Sequence, residues 1–366
     1  MLGPMLWRCC GGLVISAVAM SMSLAHADEP VAEPVAPPPT RARRALAIGA
    51  AIVPGVIVRG AGHWVARERR TARRLLVIEG VGLALAAAGG IPIGFSGGAE
   101  ETLPGLIFLV PGTGLLLGSI FADAWGAAGG AGVAGEPSPP PRLDAALGYT
   151  FVGDPRVPFA NLATAEAVAR RGRAQAAASG WFGDGTWRAR GAGGLRLRGP
   201  RPAERPADTS SLDVEMAVAA ERRADQGLRV ATAEVGALAR LDLARIGPSL
   251  RGTFTTLGVA LGLERIRYTT SGAADTSSLF AAHLGWGFLL GDGRARSLET
   301  EVYYEHRRDT LAGGLTPPTP FNGFVGYVGA VTTGWRGRWG ASARFDAGSA
   351  YVFSLAARVR LPELQR

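Results

Sequence analysis

Two histidines stand near acids in patterns that could support chemistry, His283 and His63. His283 falls beside Gly285 on what reads as the polar face of a strand, and Glu264 or Glu299 on adjacent strands could supply an acid. A hydrolase would need a nucleophile, a His and an acid converging near a rim or the lipid face. Within residues 142–361 no Gly-x-Ser-x-Gly elbow occurs, the chain has no His-Glu-x-x-His, and His283 lies mid-strand. The expectation is a His paired to a carboxylate inside the fold, with no catalytic residue. His63 belongs to a second polar group with Arg73, Arg74 and Glu79, set among apolar residues. A carboxylate in an apolar helix requires a partner, and Arg73, Arg74 and His63 are the candidates for Glu79, in a structural ion pair.

Other chemistries lack their residues. His63 has no second His or Cys at ligand spacing, so no metal is expected. Gly183-Asp184-Gly185 and Gly291-Asp292-Gly293 lack the spaced carboxylates of a calcium loop and read as hairpin turns. No Gly-rich loop follows a strand and opens a helix, so nucleotide has no cradle and no cofactor is expected.

The element that must position these side chains is a strand. From Leu298 to His306, Leu298, Thr300, Val302 and Tyr304 fall on one side and Glu299, Glu301, Tyr303 and Glu305 on the other, a period of two. The same split recurs from Arg142 to Leu361. Apolar stripes include Leu143 to Phe151, Leu212 to Val218, Val235 to Leu243, Leu257 to Leu263, Phe280 to Leu290 and Tyr351 to Leu361. The opposite face carries Asp213, Glu215, Glu221, Glu234, Arg240, Asp242, Glu264, His283, Glu299, Glu301, Glu305, Arg336, Arg338, Arg344, Asp346, Arg358 and Arg360. Both signs are present, so this face can pair with itself across strands.

Composition agrees. The 366 residues are 47% hydrophobic and 19% charged, with 53 Gly and 24 Pro, a load that favours turns and sheet over helical bundles. The formal charge is +9, and all 39 basic residues are Arg. These alternate with apolar positions or flank apolar runs without a recognition module, so nucleic acid is not an expected partner. The two cysteines, Cys9 and Cys10, both precede the apolar stretch Gly11 to Leu24.

Arg8, that apolar stretch and Ala25-His26-Ala27 have the order of a secretory signal peptide, residues 1–27, cleaved after Ala27. Residues 28–44 form a Pro-rich linker. Residues 45–125 hold apolar runs at 45–58, 75–95 and 103–124 around a charged Arg67–Arg74 segment, and read as a hydrophobic helical hairpin. Two crossings would put the Arg cluster on the periplasmic side, against the positive-inside tendency, so a periplasmic or interface-bound hairpin is favoured. Residues 126–141 are a Gly/Pro linker, 142–361 the sheet and 362–366 a tail.

Alternation also fits a soluble sandwich. Strands of about ten residues, aromatics at strand ends (Tyr149, Phe151, Trp187, Tyr268, Tyr304, Trp335, Tyr351) and a mixed-charge polar face favour a membrane barrel. On these features residues 142–361 resemble a bacterial outer-membrane β-barrel, porin-like in pattern. The resemblance implies a mainly β, antiparallel transmembrane barrel in the outer membrane with outer-membrane lipid as its surroundings. Taking Gly291–Gly293, Gly334–Gly337 and Arg245–Ser249 as periplasmic turns puts Thr269–Ser277 and Asp309–Pro320 outside. The count then closes at ten strands if Asp154–Gly185 is one loop, and at twelve if residues 173–182 are a strand. The expected function is a structural or partner-docking envelope role, with a self-filled lumen and envelope proteins meeting the helical segment. A passive channel for small solutes is the alternative, and would require charges segregated to one wall. Pattern alone gives no oligomeric state.

Overall fold

The computed structural model describes residues 40–96, 103–135, 140–155, 160–200, 208–224, 226–291, 296–306, 323–336 and 338–361. The expected signal peptide, most of the Pro-rich linker, the Asp309–Pro320 loop and the 362–366 tail lie outside them. The chain divides into two units, 1–132 with 243–251, and 133–242 with 252–366.

In the second unit, alternation is carried through twelve strands: β1 Leu143–Gly153, β2 Ala160–Arg171, β3 Ala174–Gly183, β4 Thr186–Arg198, β5 Ser211–Arg223, β6 Leu228–Asp242, β7 Thr253–Tyr268, β8 Ala274–Gly291, β9 Arg296–His306, β10 Gly323–Arg336, β11 Trp339–Ala347 and β12 Tyr351–Leu361. Each pairs antiparallel with its sequence neighbours, and β1 pairs with β12, which closes the barrel. The seam runs in register from Leu143 opposite Leu361 to Gly153 opposite Tyr351. Strands of 9 to 18 residues are long enough for tilted membrane crossings.

Twelve strands correct the count of ten and bear out the alternative. The segment read as one loop, Asp154–Gly185, contains β2 and β3. Its outer face is Ala163, Ala165, Ala167, Ala176, Ala178 and Gly180, too small to stand out as an apolar stripe. Asp184-Gly185 makes the tight β3–β4 turn, with Gly185 at φ +72°, a conformation that favours Gly. The β7–β8 turn is shorter than expected, because β7 ends at Tyr268 and β8 begins at Ala274.

Large apolar side chains face outward and are exposed, among them Leu147, Met216, Val218, Leu263 and Val325. Phe345, Phe353 and Phe151 stand opposite one another on β11, β12 and β1, an aromatic row near one rim. Polar side chains therefore fall inside, as an outer-membrane barrel requires.

In the first unit, α1 (Arg41–Ile52), α2 (Ala61–Ala66), α3 (Arg69–Ser96) and α4 (Leu103–Ala127) form the helical segment. Helices α3 and α4 are the expected hairpin, and each is long and apolar enough to cross a membrane. They pack antiparallel through small residues. A Cβ on Gly82 would lie 3.0 Å from Gly112 O, and one on Gly89 would collide with the backbone of Gly105 and Leu109. Close approach through Gly and Ala is how helices associate where no water drives them together. The β6–β7 connector, Leu243–Arg251, belongs to this unit. Its Arg245 and Ile246 carbonyls accept from Arg74 at 3.2 and 3.1 Å.

Gly89→Val is expected to destabilise the helical hairpin by about 1–3 kcal/mol through overpacking. A urea titration of the full chain followed by helix ellipticity measures this; Gly80→Val, where a Cβ meets nothing within 4 Å, serves as the control.

Candidate functional site

The interior face of the barrel holds a cavity of about 920 Å³. Its charges are arranged in two arcs. From β2 to β4 and on β11 and β12 the lining carries Arg188, Arg190, Arg196, Arg344 and Arg358, with Glu166 and Asp346. From β5 to β9 it carries Asp213, Glu215, Glu234, Glu301 and Glu305, with Arg240 and His283. The arcs meet at β4 and β5, where they pair. Arg190 donates to Glu215 at 2.5 Å and to Glu234 at 3.1 Å, and Arg196 holds Asp213 through both carboxylate oxygens at 2.8 and 3.0 Å.

Two further pairings lock distant parts of the sheet. At the seam, Arg358 on β12 holds Asp144 on β1 at 3.2 and 2.9 Å, with Arg360 at 3.4 Å. Inside the wall, Arg240 on β6 reaches Glu299 on β9 at 2.7 Å, passing over β7 and β8. Gly287 on β8 makes room for the Phe254 ring, with which a Cβ there would collide. Arg240 lies over that ring, 3.6 Å from its centre.

His283 is held by carboxylates, as expected, but by different ones. Its Nδ1 is 3.1 Å from Glu305 and its Nε2 is 3.1 Å from Glu301, while Glu264 and Glu299 are not these partners. Strand register places Glu305 directly opposite His283. Thr256 Oγ1 lies 3.0 Å from Nε2, so a hydroxyl, an imidazole and a carboxylate stand in line. The Thr256 hydroxyl donates to Glu301, which closes the group into a hydrogen-bonded cluster. Gly285 leaves the space that Glu301 occupies.

Other expected lumen residues lie in different settings. Glu221 accepts from Arg223 and sits 3.8 Å from Arg188, all three buried. Glu264 is buried on β7. Asp242 secures the β4–β5 connector, accepting from the Thr209 amide and hydroxyl at 3.1 and 3.0 Å. Arg344 pairs with Asp346 two residues along the same strand. Arg338 departs from the expectation: it is exposed in the β10–β11 turn, beyond the strand ends. The side chain of Arg336 lies outside the described residues, as does that of Trp335. The expected set lacked Asp144, Arg188, Arg190 and Arg196. The three arginines alternate with Ala189, Leu195 and Leu197 along β4, a period-two signal that was there to be counted.

In the helical unit the polar group is reorganised around Asp123, which sequence reasoning missed. Asp123 is fully buried on α4, and its carboxylate accepts from the amides of Gly60, Gly62 and His63 at 3.0 to 3.2 Å. It thereby caps the start of α2 from another helix. His63 Nδ1 is 2.5 Å from the same carboxylate, and Nε2 is 3.8 Å from Glu68, which accepts from the Ser249 hydroxyl. Glu79 pairs with Arg59, not with Arg73, Arg74 or His63. The Arg59 amide donates to it at 3.1 Å, and the Arg59 Nε donates to Ser119 on α4 at 3.2 Å. The left-handed turn at Gly60, φ +82°, brings Arg59 back against α3 and α4. A lone Asp in the apolar 103–124 run was the available signal.

A closed antiparallel barrel with an apolar outer wall and a charged interior is a membrane barrel of the outer-membrane type. No protein-family model matches the chain, and no curated protein matches it in sequence. Among solved structures it is similar to the KdgM porin, at 6% identity over 59% of this chain and 99% of that one, with TM-score 0.38. It is also similar to the translocator domain of the autotransporter NalP from Neisseria meningitidis, at 13% identity over 64% and 92%, with TM-score 0.40. The NanC porin gives 8% identity over 60% and 100%, with TM-score 0.37. No function is carried across from likeness of this degree.

Asp123→Ala is expected to cost the helical unit about 3–5 kcal/mol, the usual result of stripping a buried charged partner from its site. Asp123→Asn, which keeps an acceptor for the amides, costs less; urea unfolding of both variants measures the difference.

Proposed function

We propose that the protein is a structural or partner-docking barrel of the bacterial outer membrane, exported with cleavage after Ala27. The observation that carries this reading is the self-pairing of the lumen. Arg190, Arg196, Arg240 and Arg358 each hold an acid on another strand, and His283 is held by two. Such pairs stiffen a wall and need no solute to satisfy them. The docking element on this reading is the α3–α4 hairpin, which leaves Leu83, Ile91 and Phe95 exposed, Phe95 by 89%. An apolar surface of that kind fits a membrane interface or an envelope protein.

A passive channel for small solutes is the second reading, favoured by the 920 Å³ cavity and the division of its charges into a basic and an acidic arc. A transverse field across a lumen selects polar and charged solutes. Neither reading uses a catalytic residue.

Single-channel recording of the refolded full-length protein in planar bilayers separates the two. The structural reading predicts a flat baseline, with conductance appearing only when Arg240→Ala and Glu299→Ala remove the pair that spans β6 to β9. Steady conductance from the unaltered protein would overturn it in favour of the channel.

A further inference from the structure

Four arginines stand on the wrong side of the wall for a lumen network. Arg222 on β5, Arg229 on β6, and Arg265 and Arg267 on β7 alternate with Glu221, Arg223, Val230 and Glu264, which are buried, and all four are exposed. They point outward, onto the surface that elsewhere presents Leu263, Val218 and Met216. None of the four makes an ion pair among the described residues.

Their register is more telling than their number. Arg222 is directly opposite Arg229, and Arg229 is directly opposite Arg267. Like charges set opposite one another across strands destabilise a sheet. With strands about 4.8 Å apart, the three guanidinium stems cover about 10 Å of rim. The same row continues through Trp187 and Phe182, opposite Arg222 and Trp187 respectively. A basic ladder flanked by aromatics is the pattern of a headgroup-level site on a membrane wall.

One rung further from the rim, the wall opens into a groove of about 590 Å³. It is formed where the outer faces of β2 to β5 carry Ala167, Ala178, Gly180, Ala189 and Gly191, with Val218 and Phe182 at its sides. Lipid-facing positions usually carry bulky apolar side chains, and here they are absent directly beside the ladder.

We propose that this outer wall binds a lipid bearing two phosphates. The phosphates take the Arg222, Arg229 and Arg267 ladder with Arg265, and one acyl chain lies in the Ala/Gly groove beneath Phe182 and Trp187. Guanidinium groups pair with phosphate oxygens through parallel N–H donors, and a multiply charged headgroup relieves the repulsion along the ladder. Two features with different chemistry thus select the two ends of one molecule.

The test is native mass spectrometry of the full-length protein in detergent, titrated with diphosphoryl lipid A, monophosphoryl lipid A, phosphatidylcholine or inorganic phosphate. Retention is expected in the order diphosphoryl, monophosphoryl, then phosphatidylcholine. The triple variant R222Q/R229Q/R267Q, checked for heat-modifiable migration, is expected to lose about a hundredfold in affinity, at about fivefold per basic residue near an anionic surface. Ala189→Trp fills the groove without altering charge and is expected to weaken lipid retention too, which keeps the proposal open to test if the triple variant does not fold. Undiminished retention in either folded variant overturns the proposal. So does equal competition by inorganic phosphate, which would make the ladder a site for soluble anions.

Discussion

Inside a bilayer, no water is available for a backbone N–H or C=O, so a sheet can span it only by closing on itself. Everything distinctive in the second unit depends on meeting that condition at the β1–β12 seam. Eleven residue pairs are in register there, and Asp144 on one side holds Arg358 and Arg360 on the other. Closure fixes which face is inside. Once it is fixed, Glu301, Tyr303 and Glu305 must line the cavity while Val302 meets the surroundings. The reverse register would place acids against hydrocarbon.

Closure also creates the problem that the lumen side chains solve. Charges confined within a narrow wall have little water to share, so each needs a partner. The basic arc of β4, β11 and β12 and the acidic arc of β5 to β9 answer this where they meet, through Arg190 and Arg196. Arg240 answers it by reaching across β7 and β8 to Glu299 on β9, lying over the Phe254 ring on the way. The helical unit obeys the same rule in miniature. Its buried carboxylate, Asp123, is surrounded by three amides and an imidazole, and its buried Arg59 is tied to Glu79 and Ser119.

Much of the barrel could be read from the sequence, and the unread parts have physical reasons. Strand β9 announces itself because Glu299, Glu301 and Glu305 recur at even spacing on one face, opposite Leu298, Val302 and Tyr304. Strands β2 and β3 do not, because Ala and Gly on their outer face give little contrast with the polar side, and the count of ten followed. That same smallness is what shapes the outer groove. Pairing inside the lumen was legible only as an expectation that it would occur. Which acid meets Arg240 or His283 depends on register and on where the sheet closes, neither of which alternation encodes. In the helical unit, the sequence alone shows that Glu79, a carboxylate in an apolar helix, needs a cation. Its partner, Arg59, is brought to it by a left-handed turn at Gly60 that spacing along a helix does not anticipate.

The most direct test of closure is a cross-link across the seam. Leu147 on β1 and Ala357 on β12 are opposite each other on the outer face and 210 positions apart in sequence. A Leu147→Cys/Ala357→Cys pair, in a chain freed of Cys9 and Cys10, is to be oxidised after insertion into vesicles and its migration compared with each single variant. A twelve-strand closed barrel predicts efficient intramolecular disulfide formation that locks the heat-resistant folded form. Absence of that disulfide in folded, inserted protein would contradict closure at β1 and β12, and with it the assignment of the two faces.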